Sequence, residues 1–473
     1  MIPERKAKIV CTIGPASNSP EMIERLIKSG MDVARLNFSH GTRDEHNTII
    51  RHIRECSKKL KKVVSILQDI QGPKIRTGIL KEGKTVLKSG TRFILTGRKV
   101  EGKFDIVSTN YPAMAKYVKK GDTILLNDGL ISLRAAAVKG MDIICEVVNG
   151  GILTDHKGIN LPGIKVGLAS ITKKDVEDIL FGIEHGVDHI AISFVRSRRD
   201  VKSVKDIIKK KGVYIPVIAK LEKPEAIENL DEITDEANGL MVARGDLGVE
   251  MSPEAVPGIQ KTIISTANKK GKYVITATQM LESMMNNPRP TRAEASDVAN
   301  AVFDGTDAVM LSGETASGKY PVESLEMMSK IISAAESSAF SQYYDRRREK
   351  NDTFHGAVSS AAVHAAHDIG AHLIVVFTQW GSTALLVSKQ KPSMPIIAYT
   401  PYEVTMQKIN LYWGVIPKRM KLIENTDDLI REMNRDLITQ RLAKKGDSVV
   451  ILMGMPTSQR GITNMMKLHR VGE

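Results

Sequence analysis

Through the first 340 residues of this chain, short apolar runs alternate with amphipathic helical stretches, and most runs end abruptly in charge or hydroxyl. Eight such runs stand out: Lys8–Gly14, Val33–Asn37, Val63–Asp69, His189–Phe194, Pro216–Glu222, Gly239–Asp246, Tyr273–Gln279 and Asp307–Ser312. Apolar, β-branched runs of this length bounded by breakers read as buried parallel strands. Helix starts fall between them, as at Ser17-Asn18-Ser19-Pro20 and at Thr172-Lys173-Lys174-Asp175. Eight strands, each followed by a helix, predict an α/β fold closed into a (β/α)8 TIM barrel with chemistry at its C-terminal rim.

The alternation breaks twice. Between about Gly72 and Gly163 the chain turns rich in Gly, Val and Thr, with short strand-like runs such as Thr91–Leu95, Thr123–Leu126 and Ile143–Val147. That pattern predicts an inserted all-β domain over residues 73–163, after the third strand. The barrel then comprises 1–72 and 164–340. After the polar stretch Tyr344–Lys350, new runs at Leu373–Phe377 and Val449–Met453 predict a C-terminal α/β domain over 341–473.

Side chains alternate along a strand, so Lys220 and Glu222 project from one face, and Asp246 arrives at the neighbouring strand end. One lysine and two carboxylates at a rim could hold a divalent metal and a phosphate together; the less favoured alternative is a buried salt-bridge cluster. Arg35, Asn37 and Ser39 are spaced two apart, and an arginine fork suits a phosphate. Thr278 and Ser312 place hydroxyls where a proton could be relayed through water, although a strand threonine is often simply packed. Polar groups ending six of eight strands are hard to explain as packing. Gly313-Glu314-Thr315-Ala316-Ser317-Gly318-Lys319 imitates a phosphate-binding P-loop, but Tyr320 stands where the magnesium-holding hydroxyl belongs.

Composition narrows the classes. At 473 residues, with 42% hydrophobic and 26% charged positions, the chain is long enough for two to four globular domains, and no run approaches a membrane span. A net charge of +14 invites nucleic acid, yet the lysines spread along helix faces and aromatics are only 4%, so no stacking platform forms. Anionic small-molecule substrates fit better. Met1–Lys6 runs straight into a strand, so no signal peptide is expected. Cys11, Cys56 and Cys145 form no CxxC pattern, which points to reduced thiols in the cytoplasm.

Several segments carry a family resemblance: Lys8–Ser17, Ala34–Gly41, Met241–Gly248, and Ala277–Glu282 with Pro288–Glu294. Together they resemble the pyruvate kinases along nearly the whole chain. The resemblance implies a lid-like insert, a regulatory C-terminal domain and a homotetramer. It implies transfer of a phosphoryl group from phosphoenolpyruvate to ADP, giving pyruvate and ATP. By the same carry-over Glu222 and Asp246 hold Mg²⁺ (or Mn²⁺), and Lys220 stabilises the moving phosphoryl group. Arg35 grips the phosphate, and Gly245 and Asp246 amides with Thr278 seat the carboxylate. Asn37, His40, Arg76 and Lys157 meet the nucleotide; Thr278 and Ser312, with Glu314, deliver the proton.

Two departures change the expectation. Where many members carry Asp-Thr-Lys-Gly-Pro-Glu, this chain reads Asp69-Ile70-Gln71-Gly72-Pro73-Lys74. In potassium-dependent members a K⁺ sits among groups matching Asn37, Ser39, Asp69 and the Ile70 carbonyl. A Lys74 ammonium supplies that charge from a tether, so K⁺ is expected to be dispensable. In the C-terminal domain, Thr378-Gln379-Trp380-Gly381-Ser382-Thr383 keeps hydroxyls for one phosphate but puts an indole at Trp380, and Trp413 replaces a usual arginine. An indole suits a base or sugar face, so fructose 1,6-bisphosphate is not expected; a monophosphate effector (a sugar phosphate or AMP) and no effector at all are the alternatives. The rival reading is another Mg²⁺/enolate barrel enzyme, a pyruvate aldolase or lyase. That chemistry would not need the insert, Arg76, Lys157 or the C-terminal domain.

Overall fold

The computed structural model describes residues 4–167, 169–338, 353–454 and 463–473; the polar stretch at 344–350 lies outside them. Eight parallel strands close into a barrel: β1 Lys8–Thr12, β2 Val33–Asn37, β3 Ser65–Ile70, β4 His189–Ile192, β5 Val217–Leu221, β6 Gly239–Ala243, β7 Tyr273–Ala277 and β8 Ala308–Leu311. Pairing of Lys8 with Ala308 and of Val10 with Met310 seals β1 against β8. Two strand ends differ from expectation. After Ala243 the backbone enters a short helix, Arg244–Glu250, so Asp246 sits on a helical first turn instead of a strand end. β7 stops at Ala277, because Thr278 and Gln279 both adopt left-handed backbone (φ 67° and 52°).

The barrel strands are buried on both faces, which is why they read as unbroken apolar runs. Parity separates the faces. On β5, Val217, Ala219 and Leu221 pack outward against the helices, while Ile218 fills the barrel interior. The interior face continues upward to Lys220. In the same way Asp69 stands above Leu67, Arg35 above Val33, Thr12 above Val10, and Ser312 above Met310. Apolar interior layers therefore support a polar rim. Helix starts follow the expected chemistry: Ser19 accepts from the Met22 N–H with Pro20 in the first turn, and Thr172 forms a capping box with Asp175.

The strands of the insert lie between β3 and β4. Its six-stranded sheet, from Arg92–Thr96 to Ile159–Asn160, encloses a separate core around Phe93 and Leu133, and Lys84–Leu87 pairs with Gly151–Thr154. Left-handed glycines mark both its connections, Gly72 (φ 68°) and Gly163 (φ 74°), where a side chain would be strained. Beyond the barrel, β9 Leu373–Phe377, β10 Ile396–Thr400, β11 Val415–Arg419, β12 Ser448–Met453 and the antiparallel β13 Met465–Arg470 form a sheet ordered β11-β10-β9-β12-β13. This unit is bolted beneath the barrel: buried Asp307, just before β8, takes Lys389 at 2.6 Å and Lys391 at 2.7 Å.

Candidate active site

Four charged groups share one buried cluster at the rim. Lys220 Nζ lies 2.8 Å from Glu222 Oε1 and 3.3 Å from Asp69 Oδ1, and donates to Ser193 Oγ at 2.7 Å. Arg35 Nε donates to Asp69 Oδ2 at 2.7 Å, and its Nη1 donates to Thr12 Oγ1 at 2.9 Å. Burial opposes the Lys220 ammonium, but Asp69 and Glu222 outweigh it and hold the pKa above that of an ordinary lysine. Burial likewise opposes the Asp69 carboxylate, and Lys220 with Arg35 reverses that, leaving its pKa below the usual value. Glu222 goes the other way. Burial raises its pKa, repulsion from Asp246 adds to this, and Lys220 offsets only part. A fixed ammonium thus faces a carboxyl that gains from any added cation.

Glu222 Oε2 accepts from the Phe194 N–H at 2.8 Å, while Oε1 is buried, ion-paired to Lys220, and makes no aligned hydrogen bond. Asp246 is close enough to repel it. Among the described residues no three or more His, Cys, Asp or Glu side chains are placed to hold a metal ion by themselves. Glu222 and Asp246, paired here with Lys220 and Lys74, are the hard oxygen donors that suit Mg²⁺, which takes few protein ligands and completes its octahedron with water and substrate oxygens.

Across the rim, Thr278 Oγ1 accepts from the Gly245 N–H at 2.8 Å and donates to the Ala277 carbonyl at 2.7 Å. Ser312 Oγ is buried without a hydrogen-bond partner, and both Glu314 oxygens are held by backbone N–H groups of Leu281 (3.0 Å) and Ser312 (2.7 Å). Burial raises the Glu314 pKa, against the pull of those donors. The P-loop imitation is thus used differently: Gly313–Ala316 is one helical turn, and its glutamate braces the rim.

Asn37 Oδ1 accepts from the Ser39 N–H at 3.2 Å, next to His40, whose pKa is lowered by burial and then by Arg76, Arg35 and Lys74. From the insert side, Arg76 donates to the His156 carbonyl at 3.0 Å, and Lys157 follows with its N–H on Thr77 Oγ1 at 2.9 Å. The cleft is therefore cationic on both walls. Lys74 departs from its expected place. Its Nζ contacts Asp246 Oδ1 at 3.4 Å and Asp128 Oδ1 at 3.7 Å, whereas Asp69 is taken by Arg35 and Lys220, and the Ile70 carbonyl by Ser193 (3.0 Å).

Sequence reasoning missed Ser193 and Arg244. Strand parity could have found Ser193, which stands above the interior residue Ala191. Buried Arg244 donates to the Thr278 carbonyl at 2.7 Å and the Gln279 carbonyl at 3.1 Å, and pairs with Asp297 at 2.6 Å. Each left-handed non-glycine residue costs about 1–3 kcal/mol, and a charged hydrogen bond returns about 1.5–3 kcal/mol, so this fork can hold the pair in place. Arg244→Lys, which cannot span both carbonyls and Asp297, is expected to cost about 2 kcal/mol of stability, and adding Gln279→Gly to recover about 1 kcal/mol. Urea unfolding of the single and double variants checks this; equal stability of wild type and Arg244→Lys would contradict it.

In the C-terminal unit a cavity of about 70 Å³ is lined by Thr378, Trp380, Ser382, Thr383 and Lys421. Thr378 Oγ1 accepts from the Gly381 N–H at 2.9 Å, and Trp380 stacks on Tyr402 with centroids 5.3 Å apart. Trp413 does not join them. It is buried near the barrel, beneath Lys391 (4.8 Å) and Lys6 (5.6 Å), so the indole that shapes this cavity is Trp380 alone.

Comparison with known proteins follows the same division. Residues 4–325 match the family model described as pyruvate kinase, barrel domain, and residues 356–469 match pyruvate kinase, alpha/beta domain. The pyruvate kinase of Sporosarcina psychrophila is 46% identical over 477 residues, covering 99% of this chain and 81% of that one. That of Staphylococcus aureus (strain MRSA252) is 47% identical over 479 residues, with the same coverage. The crystal structure of a pyruvate kinase from Cryptosporidium parvum superposes with a TM-score of 0.91 at 38% identity, covering 99% of this chain and 96% of that one.

Proposed function

The chain belongs to the pyruvate kinase family and is a phosphotransferase, and we propose that it moves the phosphoryl group of phosphoenolpyruvate to ADP on a Mg²⁺ site made by Glu222 and Asp246. The carrying observation is the Lys220–Glu222–Asp69–Arg35 cluster, which presents two fixed cations and one under-compensated carboxylate at a barrel rim. Mg²⁺ bound to the two carboxylates would neutralise oxygens of the phosphoryl group and of the enolate.

Arg35 holds the phosphate with the part of its fork that Asp69 and Thr12 leave open. Lys220 lies beside the bridging oxygen, so that as the P–O bond to the enol breaks and one to the ADP β-phosphate forms, its ammonium stabilises the charge left on the enolate. The Gly245 and Asp246 amides seat the substrate carboxylate beside Thr278, the Gly245 N–H exchanging its bond to Thr278 Oγ1 for the substrate. The enolate then takes a proton at its methylene carbon from the opposite wall, where Thr278 and Ser312 order the water and Glu314 braces them. The rim thus divides into a phosphoryl side and a proton side. Asn37, His40, Arg76 and Lys157 receive the nucleotide between barrel and insert. Residues 73–163 act as the lid, whose closure keeps water from intercepting the phosphoryl group.

Release of pyruvate from phosphoenolpyruvate, followed with and without ADP, tests this reading. Pyruvate and ATP appearing in equal amounts, only with ADP, supports it; pyruvate released from a larger oxo-acid without ADP would favour the aldolase or lyase alternative.

Lys74 replaces the usual glutamate and, although it rests on Asp246 and Asp128 and not on Asp69 or the Ile70 carbonyl, keeps a tethered cation in the cleft; on this reading K⁺ is dispensable. Replacing K⁺ by tetramethylammonium is expected to change turnover by no more than about twofold, and a several-hundred-fold loss would contradict the tethered-cation account. Residues 341–473 act as the regulatory domain. The hydroxyls of Thr378, Ser382 and Thr383, with Lys421 nearby, suit one phosphate, and Trp380 suits a ring beside it. The reading carries a cytoplasmic homotetramer, and among the described residues no helix is long and apolar enough to cross a membrane.

A further inference from the structure

The insert and the barrel meet at one buried carboxylate. Glu250, 5% exposed, closes the short helix Arg244–Glu250, whose first turn carries Asp246. Its Oε1 takes Lys223 Nζ at 2.5 Å and the side-chain amide N–H of Asn160 at 2.6 Å. Lys223 directly follows Glu222, after β5. Asn160 belongs to the last strand of the insert, where it pairs with Leu125, and lies three residues before the left-handed Gly163. A single oxygen thus joins the segments bearing both candidate metal ligands to the domain read as the lid.

The same carboxylate also reaches Glu222 through the neighbouring loop. Lys223 Nζ lies 5.8 Å from the centre of the Phe194 ring. Phe194 holds a left-handed backbone (φ 57°), rare for a bulky residue, and its N–H donates to Glu222 Oε2 at 2.8 Å. The insert has one ion pair to the Arg244–Glu250 helix, Lys74 to Asp246 at 3.4 Å. A metal ion on Asp246 repels that ammonium, so Lys74 gives way on loading. The hydrogen bond from Asn160 to Glu250 then carries the insert's polar link to this helix. A carboxylate out of water keeps its partners, because losing them exposes the full cost of burying its charge, so Glu250, Lys223 and Asn160 move as a unit.

We propose that Glu250 is a positioning residue that couples the place of the insert to the Glu222–Asp246 pair. The inference rests on the metal site and the lid assigned above. A divalent cation fixes the two ligand-bearing segments relative to each other, and the shared carboxylate passes that order to Asn160 and the connection behind it. By linkage, an insert held in place returns the same free energy to the metal.

Amide hydrogen exchange of the full chain, with and without saturating Mn²⁺, reads this coupling, and electron paramagnetic resonance establishes saturation in each variant. In the wild type Mn²⁺ is expected to slow exchange over residues 159–166 about fivefold or more. Glu250→Ala is expected to bind Mn²⁺ up to ~10-fold more weakly and to lose the response at 159–166. Asn160→Ala leaves both ligand-bearing segments and the Lys223–Glu250 pair in place. It is expected to lose the response as well, so the test survives a Glu250 variant that folds poorly. Glu250→Gln keeps an oxygen for both donors and is expected to retain most of the response. A purely structural Glu250 would lower the unfolding midpoint when replaced and leave the response to Mn²⁺ unchanged. No response in the wild type, or a wild-type response in Glu250→Ala or Asn160→Ala, overturns the coupling alone. Mn²⁺ affinity indifferent to Glu222→Gln removes the metal site, and the coupling with it.

Discussion

Lys220→Met lowers turnover by about 10²–10³ or more, because it removes a preorganised cation aimed at the charge that develops on phosphoryl transfer. The structure adds a second consequence. Lys220 is the shared counter-ion of Asp69 and Glu222, both buried. Arg35 remains for Asp69, but Glu222 keeps only the Phe194 N–H. Removing one partner of a buried pair costs about 3–5 kcal/mol, so a lower unfolding midpoint accompanies the kinetic loss. The carboxyl then takes up a proton more readily, since Lys220 is the main influence holding its pKa down. Steady-state turnover and calorimetry at neutral pH check both effects. A variant that folds less stably yet keeps wild-type turnover would leave Lys220 a purely structural residue.

Glu222→Gln is expected to weaken divalent-metal binding by at least the ~10–100-fold that even outer-sphere partners of a metal cost, since it removes one of two charged ligands. Stability should change little, because Lys220 loses one of its two carboxylate partners while the amide sheds the carboxylate's own penalties. Burial and the nearness of Asp246 already penalise the Glu222 carboxylate, and a neutral amide escapes both. The sign of the pH dependence follows. Protons and metal compete for this carboxyl, whose pKa is raised, so wild-type metal affinity falls as pH drops, beginning above the ordinary carboxylate range. In Glu222→Gln that component is absent. Mn²⁺ titration followed by electron paramagnetic resonance, repeated across acidic pH, measures both. Unchanged Mn²⁺ affinity in the variant would remove Glu222 from the metal site.

The barrel and its polar rim were legible in the sequence because the two signals are local. Runs such as Val217–Leu221 announce a strand buried on both faces, and parity alone carries Lys220 to the interior above Ile218. What was not legible depends on long-range geometry. Asp246 was read as a strand end, but the backbone turns helical at Arg244, one residue after β6, and no periodicity marks a turn that short. Thr278 and Gln279 read as strand, yet a fork from Arg244, 34 residues earlier in the chain, holds them in left-handed backbone. Lys74 was placed by analogy with a monovalent-cation site. Its reach to Asp246 depends on how the insert packs, including the missing side chain of Gly158, where a Cβ would meet Lys74 Cε at 2.9 Å.

The division of the rim into a phosphoryl side and a proton side is tested most directly by exchange of solvent deuterium into the methyl group of pyruvate, measured in Lys220→Met and Thr278→Ala beside overall turnover. The account predicts that Lys220→Met loses phosphoryl transfer by a larger factor than exchange, and that Thr278→Ala loses exchange by the larger factor. Equal loss of both activities in both variants would contradict it.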